Sequence, residues 1–88
     1  MSNIYPVPAE ITIATAPAQL AKAIAALGEG SDVFDFSALQ DMDSAALAVI
    51  LACRREAARM GKQLECINLP ENLKNLAALY GVENYISA

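Results

Sequence analysis

Three observations in the 88-residue sequence predict a single α/β domain spanning 1–88. Short β-branched or aromatic runs alternate with longer segments of helical period, in the order strand, helix, strand, helix, strand, helix. That alternation implies right-handed crossovers and parallel pairing over at least part of the sheet. The hydrophobic fraction, 56%, is too high for a disordered chain, and much of it is alanine, which suits closely packed helices. A chain this short buries about 60% of the surface its unfolded form exposes, so separate substrate and cofactor domains have no room.

Residues 1–9 carry Pro6 and Pro8 and read as an extended lead-in. The run EITIAT, 10–15, alternates apolar and polar side chains with β-branched residues, as a strand does. The segment 16–30 is helical: Leu20, Ala23, Ile24 and Leu27 share one stripe, and Gly28 and Gly30 stop it. DVFDF, 32–36, reads as a short buried strand, and 37–43 as a polar turn. Residues 44–60 form the longest helix, ended by Gly61. QLECINL, 63–69, is a strand with Leu64, Cys66 and Asn68 facing one way and Glu65 and Ile67 the other. Pro70 suits the first turn of a last helix, 70–80, whose apolar face is Leu73, Leu76, Ala77 and Tyr80, with Gly81 as C-cap. For the tail VENYISA, packing and fraying both stay open.

The net charge is −4, and the basic residues are split between 54–62 and the isolated Lys22 and Lys74. Nucleic acid rewards a basic stripe, and so does an anionic membrane, so neither is an expected partner. A basic protein surface suits the charge better. No apolar run reaches the roughly 18 residues needed to cross a bilayer, and the N-terminus lacks the features of a signal peptide. The expected location is the cytoplasm, with Cys53 and Cys66 reduced and acting as small buried hydrophobes.

The sequence contains no His, no phosphate-binding glycine loop and too few soft ligands for zinc. It is read as non-enzymatic, with no cofactor and no metal. Asp35, Asp41 and Asp43 could hold Mg²⁺ through carboxylate oxygens, but turn and capping roles account for them more simply.

The informative stretch is LQDMDSAALAVIL, 39–51, where an acidic turn meets a bare helix start at Ser44. Asp43 or Ser44 can cap the first turn, a contribution of about 1 kcal/mol. The same geometry would present the Ser44 hydroxyl at the positive end of the helix dipole. A phosphate added there would be held by free amides and opposed by nearby aspartates. Ala45, Ala46 and Ala48 leave room for a partner to approach, or for the protein's own sheet. Arg54 and Arg55 read as a solvated face or as anchors for that partner.

Residues 35–82 resemble a STAS domain: Asp35 and Ser37 end a strand, a turn follows, and Met42, Asp43 and Ser44 open a helix. The resemblance implies a small mixed, mostly parallel sheet with helices mainly on one face. In SpoIIAA-type antagonists of anti-sigma factors, the residue matching Ser44 is phosphorylated by a kinase that is also the anti-sigma factor. In the MlaB type, the domain is a subunit of a phospholipid-trafficking ABC transporter, and the helix start docks the ATPase subunit. The ending LKNLAALYGVENYI is similar to the MlaB type, which is therefore the favoured branch. That places the chain in the cytoplasm, at the inner face of the inner membrane through its partner. The docking surface it implies comprises Met42, Asp43, Ser44, Ala45, Ala46 and Arg54, supported by the acidic turn at Asp35 and Asp41. Ala45 and Ala46 stand where these families usually carry glycine, and ITIATAPAQL replaces their N-terminal hairpin.

Overall fold

The structure, a computed structural model, describes residues 3–86. Its elements run β1 (Ile4–Pro6), β2 (Glu10–Ile11), α1 (Ala16–Gly28), β3 (Val33–Asp35), β4 (Asp41–Met42), α2 (Ser44–Arg59), β5 (Glu65–Ile67), α3 (Glu71–Leu79) and α4 (Glu83–Ile86). The strands form a three-stranded sheet in the order β1-β3-β5 and a two-stranded ladder, β2-β4. Every one of these pairings is parallel. The α/β class with a small parallel sheet is therefore as expected.

Register decides which face of the sheet is covered. Tyr5, Phe34 and Cys66 lie side by side across the three strands, and side chains alternate along each strand. This row belongs to the buried core, where the Tyr5 and Phe34 rings tilt together at a centroid distance of 4.9 Å. The neighbouring rows carry Ile4, Pro6 and Glu65, all exposed. One face thus meets the helices and the other meets solvent.

Helix α2 is the centre of the packing. It contacts α1 on one side and α3 and α4 on the other. Ala46, Leu47, Val49, Ile50, Cys53 and Ala57 are its buried residues, mostly small or β-branched, so neighbouring elements can approach closely. Both α2 and α3 end in a six-to-one turn. Lys62 N–H donates to the Ala57 carbonyl (2.8 Å) and Val82 N–H to the Ala77 carbonyl (2.9 Å). Gly61 and Gly81 hold φ of 75° and 71° there, where a side chain would be strained. Lys62 Nζ also reaches the Leu27 carbonyl near the end of α1 (2.5 Å), joining the ends of two helices.

Five expectations change. The lead-in contains a strand: Ile4–Pro6 pairs with β3, and Pro6, which cannot donate, sits on the edge strand where that is tolerated. The strand expected at 10–15 shrinks to two residues, because Thr15 Oγ1 accepts the Thr12 N–H (3.0 Å) and turns the chain into α1. The expected polar turn contains β4. Asn68 leaves the strand face by adopting a φ of 58°, and its Nδ2 donates to Asp35 Oδ1 (3.0 Å). Pro70 is the N-cap of α3 rather than a first-turn residue. The tail packs through α4, with Ile86 buried, while Ser87 and Ala88 lie outside the described residues.

Cys53 is fully buried, and that burial pushes its thiol up to about 12. An unfolded thiol ionises near about 8.5. The raised value means stability is intact below that pH and declines between about 8.5 and about 12 as the unfolded chain gains thiolate. A thiol reagent at pH 8 is expected to modify Cys53 at the global unfolding rate, and the urea midpoint of the wild type is expected to fall more steeply above pH 9 than that of Cys53→Ala.

Candidate protein-docking site

Asp43 builds the start of α2. Its Oδ1 accepts the Ala45 N–H at 2.8 Å, which caps the helix, and its Oδ2 accepts the Ile13 N–H at 3.0 Å. One carboxylate therefore fixes both the helix end and the loop that leads into α1, 30 residues away in sequence. Between the two capping residues the sequence allowed, Asp43 takes the role. Ser44 becomes the first helical residue, with its side chain exposed.

The other expected residues are distributed unevenly. Met42 is half-buried in β4, and Ala45 is half-buried beside Ser44. Ala46 is fully buried in the core, which takes it off any docking surface: the helical period turns it inward. Arg54 lies ten residues further along α2, about 15 Å at 1.5 Å per residue. Its Nη1 donates to the Leu64 carbonyl at 3.1 Å, anchoring the start of β5. Asp41 is exposed in β4. Asp35 is held elsewhere: hydrogen bonds from Asn68 Nδ2 and from Ser37 N–H keep its carboxyl below the usual range. Among the described residues no three His, Cys, Asp or Glu side chains converge as a metal site.

The exposed strip of α2 runs through Ser44, Ala48, Arg55, Ala58 and Arg59, spaced to share one side of the helix. Beside it, Leu79 is 78% exposed and Tyr80 59%. Between the strip and α3 lies an open groove of about 620 Å³, lined by Met42, Asp43, Ser44, Leu76, Leu79 and Tyr80 among others. It continues past Ala48, Leu51 and Val82 to a stretch lined by Arg54, Arg55 and Tyr85.

A small cavity lies beneath the sheet, between Tyr5, Phe34, Val49 and Cys53. Its volume of about 10 Å³ is near that of one water and far below a ligand site, so it cannot hold a lipid chain.

The exposure of Tyr80 corrects its expected place on the core face of the last helix: it is the C-cap of α3, past the last helical residue, and like Leu79 and Tyr85 it lies on the surface. The signal was legible for Leu79, which falls outside the stripe of Leu73, Leu76 and Ala77.

Asp43→Ala is expected to lose about 1–3 kcal/mol in urea denaturation, through the cap and the loop bond together. Asp43→Asn can keep the cap but places an NH₂ against the Ile13 N–H, so an intermediate loss is expected. Ser44→Ala is expected to stay within about 0.5 kcal/mol of wild type.

A family model described as "Mlab, STAS domain" matches residues 7–87. That span includes the divergent N-terminal segment as well as the part that carries the Asp43-Ser44 motif. No curated protein matches the chain significantly. With a family match over nearly the whole chain and the parallel α/β fold beneath it, the chain belongs to the STAS domain family, in its MlaB type.

Proposed function

We propose that this domain is a non-enzymatic subunit that docks the ATPase of a phospholipid-trafficking ABC transporter. STAS domains are protein-interaction and regulatory modules, and the MlaB-type family match supports the transporter branch. The single observation that carries the docking role is the exposed Ser44 beside the exposed apolar rim of Leu79 and Tyr80. Exposed apolar groups that cluster beside a polar rim are characteristic of protein interfaces. Among the described residues no helix is long and apolar enough to cross a membrane, so the proposed location is the inner face of the inner membrane through the ATPase.

Ser44→Arg would place a long cation at the floor of the groove and is expected to abolish co-purification with the ATPase subunit. Ala21→Arg, at an exposed position on α1, is expected to leave the yield unchanged. Equal yields from wild type and Ser44→Arg would contradict the proposal.

A second reading makes the domain an anti-sigma factor antagonist switched by phosphorylation of Ser44. What favours it is the exposure of the Ser44 hydroxyl at the helix start. A phosphate there would gain from the helix dipole and lose against the Asp43 carboxylate. On this reading, intact mass after co-expression with the kinase shows one added phosphate that Ser44→Ala removes. An unmodified wild-type mass would count against it.

A further inference from the structure

The groove beside α2 is charged differently at its two ends. At the end where α2 begins, Asp43 lines it, and the exposed Asp41 and Glu71 neighbour the lining residues Met42 and Asn72 in the chain, while the exposed Lys74, next to the lining Asn75, offsets part of that negative charge. At the other end it is lined by Arg54 and Arg55. Arg54 is committed to the Leu64 carbonyl, and Arg55 is exposed. Glu83, next to Val82 in the chain, offsets part of that positive charge. Between the ends the lining is apolar: Ala48, Leu51, Tyr80 and Val82.

We propose that this groove seats an amphipathic helix of a partner protein, laid with its basic end over Asp41 and Asp43 and its acidic end over Arg55. The proposal starts from the docking reading above and specifies the element that docks and its direction. The span from Ser44 to Arg55 is about 16 Å, three turns of helix. An apolar face repeating at i, i+4, i+7 and i+11 would match the floor. An extended segment fits less well, because the strand at the Met42 end, β4, is only two residues long and the walls beyond it belong to helices. A lipid surface fits poorly as well, given the aspartates at one end and the net charge of −4. A second copy of this chain would bring another concave groove, and carries the same net negative charge.

The test uses the full chain and a displayed library of 15-residue helical peptides, with Leu fixed along one face and all charges randomised. Recovered peptides are expected to carry Lys or Arg at one end and Asp or Glu at the other. Leu79→Gln and Ala48→Arg, both at exposed positions, are expected to keep the wild-type urea midpoint and to weaken these peptides about tenfold or more. Arg55→Glu is expected to weaken them about fivefold, with affinity restored when the acidic end of the peptide is changed to Lys.

Failure to recover peptides overturns the proposal. So do peptides of uniform charge, or binding indifferent to Leu79→Gln and Arg55→Glu. A dimer in sedimentation equilibrium that Leu79→Gln dissociates would assign the groove to a second copy and also overturn it. Loss of ATPase co-purification is read separately: if the peptides still occupy the groove, the transporter reading falls and the groove assignment stands.

Discussion

Helix α2 is enclosed by α1, by the covered face of the sheet and by α3 with α4, and the rest of the domain is arranged around that enclosure. Side chains on its buried side must include small ones, because four neighbours have to reach it. Ala46, Cys53 and Ala57, all at or near zero exposure, meet that demand. What remains outside is a strip one side chain wide, beginning at Ser44 and ending near Arg59. The surface residues of α2 are thus selected by its packing: once Ala46, Val49, Ile50 and Cys53 turn inward, Ser44, Ala48 and Arg55 must turn outward.

Asp43 fixes where that strip begins. A carboxylate that accepts from Ala45 and from Ile13 holds the helix start and the loop before α1 in one geometry. This leaves Ser44 free of the capping duty that a serine at a helix start often carries. An exposed small hydroxyl, beside an apolar rim it does not itself need for stability, is what a docking or a modifiable residue requires. The alanines that follow divide the work: Ala46 serves the core, Ala45 is intermediate, and Ala48 faces the groove.

The sequence displayed the helices well because their period and their stops are local properties. The boundaries of α1, α2 and α3 follow from stripes of Leu, Ile and Ala and from glycines after the last turn. The short strands were less legible. Ile4–Pro6 carries a proline that argues against a central strand, and its place at the sheet edge depends on partners nearly 30 residues away. Thr12 and Thr15 looked β-branched and strand-like, but their hydroxyls and amides close a turn. At the site, Asp43 and Ser44 could be read directly from the acidic turn. The far wall could not, because whether Leu79 and Tyr80 are buried depends on how α3 is rotated against α2. Arg54 was grouped with Ser44 by chemistry, yet the helix rise separates them by about 15 Å.

The central claim is that the exposed strip of α2 and the adjoining rim of α3 and α4 form the docking surface. Amide hydrogen exchange of the chain alone and in complex with the transporter ATPase tests it most directly. Protection is expected within residues 40–55 and 72–85, with exchange in the exposed residues of α1 and in β1 unchanged. Protection confined to α1, or to the solvent-facing side of β1, β3 and β5, would contradict it.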